Sequence, residues 1–289
     1  MAVYQWQQYT CAYEAHNIES DATPLLLIHP IGVGLAGKFW QPFVTQWQGQ
    51  PLYVPDLLGC GDSDLPRRPY SPRDWAEQLH YFISEIIQRP VIVVVQGALL
   101  PVALELMVDK TMGQHIVGAA LSGPPAWRLM TEPTASWRQQ LNWSLFQSPL
   151  GWGFYQYART QKFLKSFSER QLFGQAQDVT DDWLTMLKGG SRDMGTRYAV
   201  FSFLAGFWRQ DYGPAIAAIP QPILVIMGNT ASTIDRTAQD TTAQQRLDDY
   251  TSHFPNAQGS FIPGRNVLPY ESAAEFIQVL KPFVDSLEV

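Results

Sequence analysis

The chain has 289 residues, which is long enough for one large domain with a sizeable core. Hydrophobic residues make up 46% of it, charged residues only 16%, and the net charge is −6. Because there is no basic surplus to neutralise phosphates, we do not expect a nucleic acid partner.

Cysteine content and hydropathy indicate in which cellular compartment the protein resides. Cys11 and Cys60 are the only cysteines, too few for a disulfide framework, and the first ten residues lack the basic and apolar regions of a signal peptide. The longest apolar stretch, 91–108, is interrupted by polar and turn-forming residues, which favours a buried strand followed by a helix. We predict a cytoplasmic protein without a transmembrane segment.

Strands and helices alternate along much of the chain. The predicted strands are, in order, 3–9, 11–16, Leu25–Ile28, 51–54, 91–95, 117–121, 222–227 and 260–262. The predicted helices of the same region are 72–87, 102–108, 244–253 and 272–287. This alternation predicts an α/β fold with a mostly parallel sheet of about eight strands, flanked by helices on both faces.

The strand signal stops between residues 124 and 213, where helical stretches rich in Trp, Phe and Tyr take over. We predict a helical cap at 124–213, inserted into a core domain formed by 1–123 and 214–289. Large aromatic residues at helical spacing are mostly core, and those outside the core favour an apolar ligand or a partner surface.

Four segments resemble landmarks of the α/β-hydrolase superfamily. They are 26–32 (LLIHPIG), 56–64 (DLLGCGDSD), 223–228 (ILVIMG) and 262–271 (IPGRNVLPYE). The second is the most specific, because it matches the family's Asp-x-x-Gly-x-Gly-x-Ser-Asp loop. The combination of 96–101 (QGALLP) with 263–271 is similar to a cyanobacterial and plastid branch with a degenerate catalytic triad. The resemblance implies an α/β-hydrolase fold with an inserted helical cap.

The resemblance also locates the three catalytic positions. The nucleophile should follow the strand 91–95 on a tight turn, and Gly97 stands there, with no Ser, Cys, Thr or Asp between 91 and 105. The acid position is Ala231 and the base position is Val267. None of these side chains can attack a carbonyl or transfer a proton, so the triad is predicted to be degenerate.

Several groups around the vacated centre could hold a ligand without reacting with it. The ligand-binding candidates are His29, Ile31, Gln96, Ala98, Arg265, Asn266 and Tyr270. Arg265 is the most informative of them, because a guanidinium beside an apolar pocket should meet either a carboxylate of the protein or an anionic or carbonyl group of a ligand.

Three classes of function follow from these observations. The leading hypothesis is a catalytically inactive homologue, a pseudoenzyme, that binds an apolar small molecule or a protein partner in or near the vacated site. The alternative is a hydrolase or cofactor-free lyase that uses Cys60, His29 and Gln96. A scaffold without a ligand is the third class. No cofactor is expected, and the five histidines lack metal-ligand spacing, so no metal site is expected.

Overall fold

The computed structural model describes residues 1–230, 234 and 241–287. Within them, one sheet has the strand order β1-β2-β4-β3-β5-β6-β7-β8. The strands are β1 (Ala2–Trp6), β2 (Tyr9–His16), β3 (Leu25–Ile28), β4 (Leu52–Pro55), β5 (Val91–Gln96), β6 (Ile116–Ser122), β7 (Ile223–Gly228) and β8 (Ala257–Ile262). β2 pairs antiparallel with β1 and β4, and all other pairs are parallel. The predicted mostly parallel, eight-stranded sheet is confirmed.

The central strands are buried on both faces, as their continuous Val, Ile and Leu runs predict. Every residue of β3, β5 and β7 is buried. Strand β8 begins at Ala257, three residues earlier than predicted. The sequence pattern missed Ala257–Gly259 because these residues lack the β-branched side chains that mark a strand.

Helices flank the sheet and fill the long segment between β6 and β7. They are α1 (Gln41–Gln46), α2 (Pro72–Tyr81), α3 (Leu100–Val108), α4 (Trp127–Thr131), α5 (Ser136–Gln147), α6 (Pro149–Ala158), α7 (Gln161–Phe167), α8 (Asp181–Gly190), α9 (Arg197–Ala205), α10 (Gly213–Ala218), α11 (Ala243–His253), α12 (Leu268–Glu271) and α13 (Ala273–Asp285).

Two hydrophobic cores lie on opposite faces of the sheet, because successive side chains of a strand point to opposite sides. Val93 and Val95 of β5 join the first core with helices α2 and α3. Ile92 and Val94 join the second core with helices α1 and α13. The sheet is therefore the middle layer of three.

The helix predicted at 72–87 is present but changes its winding. Ser71 caps it, since its hydroxyl accepts the Asp74 amide while the Asp74 carboxylate accepts the Ser71 amide. The α-helix ends at Tyr81, and Phe82–Ile87 continue as a π-helical turn.

The segment 124–213 is helical, and the described residues between β6 and β7 contain no strand. Its aromatic residues divide into two groups. Tyr155, Trp183 and Phe201 are buried, whereas Trp137 and Trp152 are exposed. The division of the chain into a core domain and a cap stays a prediction.

Among the described helices, none is long and apolar enough to cross a membrane.

Two glycines near the carboxyl edge of the sheet adopt a positive φ but differ in the space around them. At Gly61 φ is +57°, and a Cβ added there would lie 2.2 Å from a carboxylate oxygen of Asp56. That carboxylate also accepts the amides of Gly37 (2.7 Å) and Asp62 (2.8 Å). At Gly97 φ is +62°, and an added Cβ would meet nothing within 4 Å.

Substituting each of the two glycines by alanine separates the energetic cost of backbone strain from that of a steric collision. Gly97→Ala adds only left-handed strain and should lower the free energy of unfolding by about 1–2 kcal/mol. Gly61→Ala adds the collision with Asp56 and should cost about 3 kcal/mol or more. Urea denaturation of the two variants measures both values. Equal losses would show that the contact with Asp56 does not require a glycine.

Candidate functional site

The turn after β5, where the sequence predicts the nucleophile position, carries a glycine. Gly97 begins a 3₁₀ turn, Gly97–Leu99, that leads into α3. Its positive φ of +62° is one that glycine adopts without strain. Because an added Cβ would meet nothing within 4 Å, the position faces open space. The surroundings therefore leave room for a side chain at this position.

Gln96, the residue before the turn, is fully engaged by its neighbours. Its side chain is buried, and its Oε1 accepts a hydrogen bond of 2.6 Å from Ser122 Oγ at the end of β6. Its Nε2 donates to the main-chain carbonyl of Asn266 in the loop after β8. Sequence reasoning missed Ser122, although its place at the end of a central strand was a usable signal.

The base position is filled by an aliphatic side chain. Val267 is buried in the second core at the start of α12, and its carbonyl accepts the amides of Tyr270 and Glu271, each at 2.8 Å. A valine cannot accept a proton from any nucleophile. Ala231, the acid position, lies outside the described residues.

The loop after β8, where the sequence predicts the base, is bonded to the segment 170–172. Arg265 Nη1 donates to the carbonyl of Arg170 at 2.7 Å, and Asn266 Nδ2 donates to the carbonyl of Gln171 at 2.6 Å. The main-chain amide of Asn266 also donates to the carbonyl of Leu172 at 3.0 Å. These bonds hold the loop after β8 against the segment 170–172.

Glu271 adds to this attachment from α12. Its Oε1 accepts the amide of Gly174 at 2.6 Å, and its Oε2 accepts the amide of Arg265 at 3.0 Å. Burial raises the pKa of Glu271, although these two amides oppose the shift. We call the group formed by Arg265, Asn266 and Glu271 with the segment 170–174 the loop clamp.

Arg265 is bonded to the backbone rather than to a carboxylate of the protein. Its guanidinium donates to the main-chain carbonyl of Arg170. Its Nε is buried and has no hydrogen-bond partner among the described residues. Arg265 and Asn266 therefore bond the loop after β8 to the segment 170–172, and the Asn266 carbonyl accepts the side-chain amide of Gln96. Ligand binding by Arg265 and Asn266 stays a prediction.

His29 is bonded to the backbone through both ring nitrogens, and its place among the ligand-binding candidates stays a prediction. Its side chain is completely buried, with Nδ1 bonded to the Pro30 carbonyl (2.8 Å) and Nε2 accepting the Leu57 amide (3.2 Å). Burial lowers the pKa of His29, although the Asp56 carboxylate opposes the shift. Its partners fit a neutral ring protonated on Nδ1, so neither nitrogen is free to act as a base.

Cys60 is likewise unsuited to catalysis. Its side chain is buried, and burial, with a contribution from the Asp56 carboxylate, raises the pKa of the thiol well above its ordinary value. The thiolate is the reactive form of cysteine, and this environment disfavours it.

Tyr270 lies in an aromatic cluster. Its ring packs against Trp183 at 4.6 Å, Phe39 at 6.2 Å and Phe173 at 6.3 Å, measured between centroids. Burial raises the pKa of its hydroxyl. Tyr270 thus packs between the core helices and the segment 173–183, and its place among the ligand-binding candidates stays a prediction.

Ile31 and Ala98, the remaining ligand-binding candidates, do not line the small cavity beside the loop after β8. Ile31 and Ala98 are partly buried, Ile31 against the first core and Ala98 in the turn that begins at Gly97. A cavity of about 10 Å³ is lined by Gly123, Met227, Thr230, Arg265 and Asn266, among others. That volume holds about one water molecule. Among the described residues, no group of three His, Cys, Asp or Glu could hold a metal ion.

The loop clamp can be tested by removing its one carboxylate. Glu271→Ala leaves the amides of Gly174 and Arg265 without their acceptor, so the free energy of unfolding should fall by about 2 kcal/mol. Amide hydrogen exchange in the segment 170–174 should accelerate in the same variant. The matched control is Glu275→Ala, because Glu275 is exposed on the next helix. Equal stability and equal exchange in the two variants would contradict the clamp.

A family model described as the alpha/beta hydrolase family matches residues 25–279. No curated protein matches the chain. Several hundred solved structures do.

Three of the similar structures illustrate the match. A thermophilic esterase from Thermogutta terrifontis is 15% identical, with 97% of this chain and 95% of that one covered and a TM-score of 0.72. An enol-lactonase from Burkholderia xenovorans LB400 is 14% identical, with 98% and 100% covered and a TM-score of 0.72. A putative acyltransferase from Salmonella enterica is 19% identical, with 97% and 92% covered and a TM-score of 0.75. At these identities the structures share the fold, and with the family model matching most of its length, the chain belongs to the alpha/beta hydrolase family.

Proposed function

We propose that this protein is a catalytically inactive member of its family, which acts by binding and not by turnover. The observation that carries the proposal is Gly97. The backbone there adopts the left-handed conformation of a nucleophile turn and faces open space, yet the residue has no side chain. Val267 at the base position and Ala231 at the acid position support the same conclusion from the sequence.

The alternative function is a hydrolase or cofactor-free lyase with relocated catalytic groups. The names of the similar esterase and enol-lactonase favour ester chemistry for those proteins. In this chain the candidates are occupied or inactive. Both ring nitrogens of His29 are bonded to the backbone, both ends of the Gln96 amide have partners, and the Cys60 thiol is held protonated. These contacts favour the inactive protein.

We favour a binding site on the outer surface of the protein. Small-molecule pockets usually enclose roughly 300–1,000 Å³. The cavity lined by Thr230, Arg265 and Asn266 is about 10 Å³, which is too small to enclose the apolar ligand that the sequence predicted. We therefore favour a partner at the exposed face of the segment 124–213, acting as a cap on the core formed by 1–123 and 214–289. A cytoplasmic location is part of this proposal, and the unpaired Cys11 and Cys60 agree with it.

Stepwise restoration of the triad tests the proposal. The wild type should hydrolyse p-nitrophenyl acetate at the background rate, and Gly97→Ser should do no better, because its hydroxyl would lack a base. Adding Ala231→Asp and Val267→His to Gly97→Ser should raise the rate by about 100-fold over the single variant. Turnover by the wild type, or a single variant as active as the triple one, would show that an unrecognised base is present and the proposal is wrong.

A further inference from the structure

Helix α5 presents an apolar face to solvent. Trp137, Leu141 and Leu145 are exposed by 64%, 61% and 52%, and their spacing of four residues aligns them on one side of the helix. Trp143 is buried on the opposite side. A surface helix normally turns its apolar stripe inward, so this one shows the reverse of the usual arrangement.

Helix α6 also exposes apolar side chains to solvent. Leu150, Trp152 and Tyr157 are exposed by 72%, 53% and 62%. The helix begins two residues after α5 ends, and the two helices contact each other through the rings of Phe146 and Phe154, whose centroids are 6.3 Å apart. We call the surface formed by the exposed side chains of both helices the cap face. It consists of Trp137, Leu141, Leu145, Leu150, Trp152 and Tyr157.

The charge around the cap face differs in sign from that of the whole chain. The segment 133–168 contains Arg138, Arg159, Lys162 and Lys165 and no acidic residue, whereas the net charge of the chain is −6. The Arg138 guanidinium lies 5.2 Å from the centre of the Trp137 ring. Lys162 is exposed as well. Lys165 also lies 3.9 Å from Glu169, the residue that follows the segment. The segment itself carries a net positive charge.

We propose that the cap face binds the surface of an anionic lipid bilayer. Trp and Tyr prefer the boundary between headgroups and acyl chains, and exposed leucines enter the apolar layer beneath it. Basic residues around such a face are attracted to anionic headgroups. Helices of 12 and 10 residues are too short to span the bilayer and suit a position in the plane of its surface.

The charge pattern favours this partner over a second copy of the chain. Two copies that met through the same face would bring the same basic residues together without an acidic residue of the segment to pair with them. The proposal deepens the proposed function, on which it rests, by naming what is bound. The two are tested separately, because vesicle binding and ester turnover are different measurements.

Vesicle sedimentation tests the apolar part of the cap face. The wild type should bind vesicles of phosphatidylcholine and phosphatidylglycerol and remain free with phosphatidylcholine alone. The triple variant Trp137→Ser, Leu141→Ser, Leu150→Ser should bind the mixed vesicles at least about tenfold more weakly. The control is Val3→Ser, Ile18→Ser, Val108→Ser, which removes three hydrophobic side chains exposed by 64%, 55% and 44% elsewhere and should bind like the wild type.

A matched pair of charge variants tests the electrostatic part. Arg138→Gln with Lys162→Gln should weaken binding by roughly tenfold, whereas Arg67→Gln with Lys110→Gln, which removes the same charge from other exposed positions, should change it little. Thermal melting checks that each variant is folded. Failure of the wild type to bind the mixed vesicles, or equal loss in the cap-face and control variants, would overturn the proposal. A wild-type dimer that the cap-face variant dissociates, without vesicle binding, would overturn it in favour of self-association.

Discussion

The backbone conformation of Gly97 is the constraint on which the site depends. Strand β5 must leave the sheet and enter α3 within three residues, and the residue at this corner has a φ of +62°. For a residue with a Cβ that conformation is strained, and a catalytic hydrolase accepts the strain because the turn presents its nucleophile. With glycine the strain is relieved and the nucleophile is absent. The corner therefore keeps the fold's connection and has no chemical group of its own.

The polar groups around that corner link distant parts of the chain. Gln96 links the ends of β5 and β6 to the loop after β8 through Ser122 and the Asn266 carbonyl. Arg265, Asn266 and Glu271 then link that loop to the segment 170–174. A buried polar group is costly unless it is bonded, so these side chains stabilise the fold as a connected network.

Sequence reasoning was accurate where local pattern decides the structure. The Val91–Gln96 run, the Ser71 cap and the turn at Gly97 follow from residue type and spacing alone. It failed where the partner lies far along the chain. Arg265 and Arg170 are 95 residues apart, and the acceptor is a main-chain carbonyl, a group that every residue carries. The position of Tyr270 depends in the same way on where Trp183 packs. Helical spacing also could not separate the exposed Trp137 from the buried Trp143, because both occupy α5.

The absence of a nucleophile at the turn after β5 is tested most directly by the intact mass of the wild-type protein after incubation with a serine-directed fluorophosphonate. We expect no covalent adduct, because neither Gly97 nor its neighbours in the turn carry an oxygen or sulfur nucleophile. A catalytically active homologue treated in the same way serves as the positive control. Stoichiometric addition of one probe to a residue of this turn would show that the turn carries a reactive group and that the protein is not inactive there.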